Sequence, residues 1–556
     1  MPADGHKIVA RYDQMKIDRR NFDWRWEEMA PLIAPSRIGI TTRNLGGEKQ
    51  SDGVYDSTMM QAAEMMAMFI AGHIINPGQR WVKLKHKDDA ANEMDAIREW
   101  NEECTDRLLN WLNPGKFYAE APETLLDYCG FGTGFLMAEE APQPTNRTIQ
   151  GFRGFYIHAT RIGRYVIAEG ADGLVDTVGY EFEMSARVVA AMYPDSASES
   201  TKTAAAKQPD KPIKIVHFIQ PRPTAEQGYG RKATEMPWQS CWIEHESKTV
   251  LKESGYRVFP AAVPRYQKTP NEVYGRGRGD IAFPDASTLN TAKRMGLEDW
   301  ALKIRPPVMM RNDSVIGTLK LTPGGPSRIN THGQPLRDVI MPWQTGSHPE
   351  VSNIKEEELR RTIREIFFVD TIRQLLETHK SEMTALEFAK KMELLFRIIG
   401  PVYGPMEYEF LYKIVDVFWD LLYHAKVFSP PPPEMAQFGG DLDIQFVNPI
   451  SLAQKSGDAE TFLMWMNDVS PMAQLKPEML DWIDPDKSAL GLAMVRGLPA
   501  KWTRSQAQVD ALRKERFKQD QAQQQMEQIG AGAQAAGQVA PLVKALSEKT
   551  QAGQAA

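Results

Sequence analysis

The residues whose types and spacing could do chemistry start at Tyr274-Gly275-Arg276-Gly277-Arg278-Gly279-Asp280. Glycines at alternate positions can bring backbone N–H groups close to a phosphate, and the intervening arginines could neutralise it. The stretch lacks the Gly-Lys-Ser/Thr ending of a Walker A loop, and no acidic strand partner accompanies it. A tight structural turn accounts for the same glycines. Gly130-Phe131-Gly132-Thr133-Gly134 is equally unspecific and reads as a turn into a strand. Arg278-Gly279-Asp280 is too short a tripeptide to indicate receptor binding. The ten histidines form no HExxH and no metal-spaced cluster, and no GxSxG elbow occurs. Acid pairs such as Glu139-Glu140 and Asp88-Asp89 read as solvated faces. The sequence therefore predicts no catalytic residue, no cofactor and no metal site.

A second candidate is the polar break His379-Lys380-Ser381 between two helical patterns. One reading is a simple helix–helix loop. The other is a loop that offers His379 and Lys380 to a polyanion, aided by Lys293, Arg294, Lys303, Arg305, Arg360, Arg361, Arg364 and Arg373 on the flanking helices. Those cations can equally lie on solvated faces, in i,i+4 pairs such as Glu357–Arg361.

The elements that must position these groups follow from spacing. Asp285, after Pro284, is placed as the N-cap of a first central helix, with Leu289, Ala292, Gly296, Trp300 and Ile304 on one face and Pro306-Pro307 at its end. Gly296 costs about 1 kcal/mol inside a helix, which predicts a close approach to its backbone there. Residues 308–352 read as strands and turns, with Ile316–Leu321 the clearest strand. A second central helix starts near Ile354 with Glu356, Glu357 and Glu358 in its first turn, favourable for the helix dipole. Its apolar stripe is Leu359, Ile363, Ile366, Val369, Ile372 and Leu376. Thr384 and Glu387 have capping-box spacing for a third helix, which stops at Gly400-Pro401. An apolar, aromatic helix runs from about Met406 to Val427.

Upstream, Arg11–Pro31, Asp56–Ile75 and Asp88–Leu112 have helical character, and Met59–Ile75 reads as a buried amphipathic helix. Short β-branched or aromatic runs predict strands at Gly134–Met137, Phe155–Ile157, Tyr165–Ile167, Val175–Glu183, Ile213–Ile219, Trp238–Ile243 and Tyr256–Pro260. Ser196–Lys211 reads as a mobile loop. Downstream come a strand at Asp441–Val447, a polar helix at Ser505–Gln528 and an Ala/Gly/Gln-rich tail.

A length of 556 residues predicts two or three substructures. The net charge of −6 argues against a protein that grips nucleic acid tightly. Three cysteines without CxxC spacing predict neither a disulfide framework nor a zinc knuckle and fit a reducing compartment. The N-terminus has no secretion-signal layout, and no run of about 20 apolar residues predicts a membrane span. The 27 methionines and 13 tryptophans suit a subunit of an assembly, although a Met-rich core explains them too.

The order of elements resembles that of the head-to-tail connector, or portal, proteins of short-tailed, T7-like bacteriophages, over most of the length. The resemblance is carried by Tyr274–Gly279 followed by Phe283-Pro284-Asp285 and Leu289-Asn290, and by Met383-Thr384-Ala385-Leu386-Glu387 leading to Gly400-Pro401. Asp441–Ile450 and the Pro477–Asp481 turn also carry it. Where this chain has Gly277-Arg278, the family more often has Ser or Pro. The resemblance implies an α+β, mainly helical portal fold. Residues 1–283 would be an N-terminal α+β wing region, 284–305 stem helix 1, 306–353 a clip, 354–378 stem helix 2 and 379–383 a tunnel loop. Residues 384–440 would be wing helices and 441–556 a C-terminal crown region with a low-complexity tail.

It also implies a homo-oligomeric ring, generally a dodecamer, at the portal vertex of the virion capsid, assembled in the host cytoplasm and without catalysis of its own. Double-stranded DNA would slide weakly through it, past His379, Lys380, Arg373, Lys303 and Arg305 as DNA-channel candidates. The partners implied are the major capsid and scaffolding proteins, the terminase large subunit and the tail adaptor and nozzle proteins, with no membrane. Another phage structural role, as adaptor or internal head protein, is the first alternative, and a nucleotide-dependent packaging enzyme the second.

Overall fold

A computed structural model of the chain describes residues 4–41, 52–112, 116–141, 152–223, 232–304, 306, 308–310, 335, 340–342, 349–378, 400, 403–439, 442–447, 462–471, 484, 485, 488, 489, 491, 492, 504, 508–519 and 521. Its contacts divide the chain into two compact units, one of Met1–Lys83, Thr105–Ser429 and Phe446–Thr461, the other of Leu84–Cys104, Pro430–Gln445 and Phe462–Ala556.

In chain order the elements begin with α1 (Gly5–Asp18), α2 (Arg20–Ile33), α3 (Thr58–Ile74), β1 (Val82–His86), α4 (Asp89–Glu93), α5 (Asp95–Leu112) and α6 (Phe117–Phe131). Then come β2 (Leu136–Glu140), β3 (Phe155–Ala159), β4 (Tyr165–Glu169), β5 (Val175–Ser185), α7 (Ala186–Met192), α8 (Glu199–Lys207), β6 (Pro212–Pro221), β7 (Trp238–Glu244), β8 (Val250–Tyr256) and β9 (Ala261–Ala262). After these follow α9 (Arg278–Ile304), β10 (Val308–Met310), β11 (Ile340–Pro342), α10 (Pro349–Ile366) and α11 (Val369–Thr378). A π-helical turn (Glu407–Tyr412) leads into α12 (Lys413–His424), and β12 (Leu442–Phe446) follows. The fold is α+β. Among the described residues no helix is long and apolar enough to cross a membrane.

In the first unit, β4 to β8 form an antiparallel meander of five strands in chain order, and β3-β2-β9 form a three-stranded sheet. Alternation along β6 decides what covers each face. Val216 and Phe218 pack with Ile8, Val9 and Tyr12 of α1, while Ile215, on the opposite face, packs with Val189, Ala197 and Leu251. Fully burying a side chain such as Phe218 contributes about 1.5–3 kcal/mol. The spacing of Met59, Ala63, Met66 and Ile70 closes into α3, where all four are buried. Asp4 starts α1 by accepting from the backbone N–H of His6 at 3.1 Å.

In the second unit, β1 pairs with β12, and Lys85 Nζ lies 3.4 Å from Asp443 Oδ2. His86 Nε2 is 3.1 Å from the Gly439 carbonyl, and its Nδ1 accepts from the Asp88 N–H at 3.0 Å. Asp88 in turn caps α4.

The structure corrects several expectations. Ser196–Lys211 is not a loop, because Ser198 Oγ accepts from the Thr201 N–H at 3.3 Å and starts α8, whose Ala204-Ala205-Ala206 run favours helix. Asp88–Leu112 is two helices, separated by extended Met94. The final strand of the meander is Val250–Tyr256, ending where Tyr256–Pro260 was expected to begin.

The second central helix is broken. Phe368 takes a left-handed φ of 58°, and α10 and α11 lie on either side of it. A left-handed non-glycine residue is disfavoured by about 1–2 kcal/mol. Three consecutive three-residue steps in the stripe (Ile363, Ile366, Val369, Ile372) run ahead of a 3.6-residue period. The break restores the fit by burying Phe367 and leaving Ile366 half-exposed. The Ile316–Leu321 strand and the Thr384/Glu387 cap lie outside the described residues. Of the predicted strand-and-turn excursion, the described part is the antiparallel pair β10–β11, with Met309 opposite Met341.

Candidate functional site

The two glycine-rich stretches of the sequence meet. Gly132, at a φ of 91°, ends α6 as a left-handed cap. A Cβ on Gly277 would lie 2.5 Å from the Gly130 carbonyl oxygen, and one on Gly275 would lie 2.3 Å from that of Gly132. A Cβ on Gly279 would also meet the Gly130 oxygen, at 2.3 Å. These glycines let two backbones touch, so the 274–280 turn is joined to the end of α6. Its amides are committed. The Gly275 N–H donates to Thr133 Oγ1 at 2.8 Å, Arg276 N–H to the Gln267 carbonyl at 2.9 Å and Gly277 N–H to Asp280 Oδ2 at 2.9 Å. A phosphate cradle needs those donors free. Arg276 turns outward and pairs with Glu272.

Tyr274 anchors the turn from beneath. Its ring lies 5.2 Å from Phe22 and 5.3 Å from Trp26 of α2, and its hydroxyl accepts from the Ile167 N–H at 3.1 Å. Burial pushes the phenol up to about 12, opposed by Arg19.

Helix α9 begins at Arg278, seven residues before the expected N-cap at Asp285, which is inside it. The start is set by Asp280, whose carboxylate reaches back to the Gly277 N–H as in a capping box and pairs with Arg25 at 2.8 Å. Gly296 has no close neighbour, since the nearest atom to its would-be Cβ is a Glu356 oxygen at 3.8 Å. The close approach expected there is absent.

Six cations of α9 and α10 are paired within the chain. Lys303 meets Asp299 at 2.9 Å, Lys293 meets Glu356 at 3.4 Å and Arg294 meets Glu298 at 3.8 Å. Arg360 bonds Asp56 at 3.0 Å, Arg361 bonds Glu365 at 2.9 Å, and Arg364 bonds Glu357 at 2.9 Å. Arg373 is exposed and, among the described residues, has no ion-pair partner. Arg305, His379 and Lys380 lie outside the described residues. The far half of α9 is unusually apolar on its surface, with Met295 56%, Trp300 63% and Ile304 59% exposed beside exposed Leu297 and Leu302.

Two arginines that sequence reasoning did not single out hold the joint. Arg265, almost wholly buried, donates its Nε to both Glu409 oxygens at 3.2 Å and its Nη2 to the Gly173 carbonyl at 2.9 Å, and it also pairs with Glu169. The π-helical turn carries Glu409. Arg278 donates its Nε to Tyr266 Oη at 2.6 Å and lies over the ring of Phe368, 4.7 Å from its centroid. The only available sequence signal for the joint was the presence of two glycine-dense stretches in one chain.

On the sheet, His217 is fully buried between Tyr180 Oη and Ser240 Oγ, each at 2.8 Å, and stacks on Trp242. Burial lowers its imidazole to about 3 and that of His158, 5.7 Å from the Tyr180 ring, to about 4. Both are neutral at ordinary pH. An open cavity of about 660 Å³ beside them is lined by acids and bases alike, including Glu139, Glu183, Arg164 and Lys214, so it selects no sign of charge.

A close-packed backbone joint carrying a long helix with paired cations and an uncovered apolar surface defines a structural subunit. The chain belongs to the bacteriophage head to tail connecting protein family, whose sequence model matches residues 5–503. It is 25% identical over 544 residues to a probable portal protein of Bordetella phage BPP-1, covering 96% of this chain and 94% of that protein. It is 24% identical over 543 residues to the portal protein of Salmonella phage epsilon15, covering 96% and 95%.

Proposed function

We propose that this chain is the subunit of a portal ring, with twelve copies closed head to tail around a channel for double-stranded DNA at one capsid vertex. The observation that carries the reading is the apolar surface of α9. Among the described residues nothing covers Met295, Leu297, Trp300, Leu302 and Ile304, and a neighbouring copy would supply the partner. In this reading α9 and α10–α11 are the stem, with 306–353 the clip that meets the terminase large subunit and later the tail adaptor and nozzle. Residues 379–383 are the tunnel loop, with His379 and Lys380 facing the lumen. The flanking α+β regions form the wing against major capsid and scaffolding proteins, and 441–556 the crown.

The charge pattern suits sliding. Each phosphate neutralised releases counterions and adds affinity, so a lumen rich in unpaired cations would pin the strand. A stem in which Lys293, Arg294, Lys303, Arg360, Arg361 and Arg364 are already paired with acids leaves fewer contacts of that kind.

The test is the particle formed by the purified chain. Native mass spectrometry and electron microscopy should give closed rings, whereas a stable monomer at micromolar concentration under assembly conditions overturns the reading. ATP hydrolysis by the isolated chain would favour a packaging enzyme. Lys380→Ala should leave the ring intact and alter packaging or DNA retention.

A further inference from the structure

The broken second helix has a joint and a fastener. Among the described residues five non-glycine positions have positive φ, and four are lysine or asparagine. The fifth is Phe368, a bulky residue for which this conformation is a true outlier and therefore must be held. What holds it is visible. The guanidinium of Arg278, first residue of α9, lies 4.7 Å from the Phe368 ring centroid and 5.6 Å from that of Tyr266, and its Nε is fixed on the Tyr266 hydroxyl.

Among the described residues Arg278 has no carboxylate partner, so its cation is committed to two aromatic rings and a phenol. A half-buried cation over aromatic faces is attracted by their quadrupoles. Beyond the break, Val369 and Ile372 are buried among the described side chains of α11. The Arg364–Asp370 pair spans the break at 3.4 Å, and a polar notch of about 420 Å³ lined by Arg361, Glu365, Asp370, Arg373 and Gln374 lies beside it.

We infer that Arg278 is a latch that holds the α10–α11 joint bent at Phe368. The glycine joint fixes Arg278, because Gly277 and Gly279 on either side of it are packed against the Gly130 backbone. The latch thus ties the angle of α11 to the rigid body of the first unit. Released, Phe368 can leave the left-handed geometry, and α11 loses its fixed seat against the first turn of α9, so that its amides open more often. The latch does not depend on the ring reading.

Hydrogen exchange on the full-length assembled protein tests the latch, with particle mass measured in parallel. Arg278→Met and Phe368→Leu should each speed exchange of residues 369–378 by about tenfold, with no change in 280–300. The double variant should be no faster than either single, and Arg278→Lys should recover part of the protection. The inference is overturned if R278M leaves 369–378 unchanged, if the two effects add, or if R278M loosens the whole unit equally. Particle mass reports on the ring separately, so a chain with a working latch and no ring would sink the proposed function alone.

Discussion

Arg265 and Glu409, 144 residues apart in sequence, form a two-pronged buried ion pair that fastens the strand-end segment before α9 to the π-helical turn before α12. The Arg265 backbone N–H also donates to Glu409, at 2.9 Å. Arg265→Met alone strands the Glu409 carboxylate and should cost about 3–5 kcal/mol in denaturant unfolding, while Glu409→Leu leaves Arg265 paired with Glu169 and should cost less. The double variant R265M/E409L should be much closer to wild type. Equal, additive losses would show that the pair is not the source of the effect.

The same substitution should have opposite signs at two ends of one region. Gly277→Ala and Gly279→Ala push a methyl group into the Gly130 backbone and should cost about 1–3 kcal/mol each. Gly296→Ala, exposed and with no atom nearer than 3.8 Å, should gain about 1 kcal/mol. Thermal unfolding of the three variants measures both signs.

Acid should weaken the first unit through two buried histidines, His217 of the five-stranded sheet and His158 of the three-stranded one. His158 and His217 titrate near 4 and 3 in the fold because burial disfavours the imidazolium, and near 6.5 when unfolded. Between those values the unfolded chain binds more protons, so stability rises with pH and levels off above 6.5. Unfolding free energy against pH should therefore climb from about pH 4 to 6.5. His217→Gln, which cannot ionise there, should flatten the slope although it lowers the plateau.

In the proposed ring, the apolar surface of α9 should govern assembly and leave the fold alone. Trp300→Asp with Ile304→Asp should change monomer stability by no more than about 0.5 kcal/mol, since both are surface positions. The ring should be lost in analytical ultracentrifugation. Intact rings in the double variant would place the subunit contact elsewhere.

Much of the architecture was legible from periodicity. Met59 to Ile70 gave α3, and the β-branched runs located most of the meander because a strand buried on one face has to alternate. The helix break at Phe368 was written in the stripe as repeated three-residue steps, yet no Pro or Gly marks it. Asp285 was a plausible cap by local rules. It lost to Asp280, because Gly277 is held by contacts with Gly130 that no local window contains. The Arg265–Glu409 pair and the Arg278–Phe368 stacking are long-range for the same reason: each residue is ordinary where it stands in the sequence, and only the fold brings the partners together.

The contact between Gly130 and the 275–279 turn closes a loop that contains the entire meander. Closing so long a loop costs more chain entropy than closing the local hairpins inside it. The base of α9 is therefore held where the two ends of that loop meet, and whatever parts those ends loosens the helix at its root.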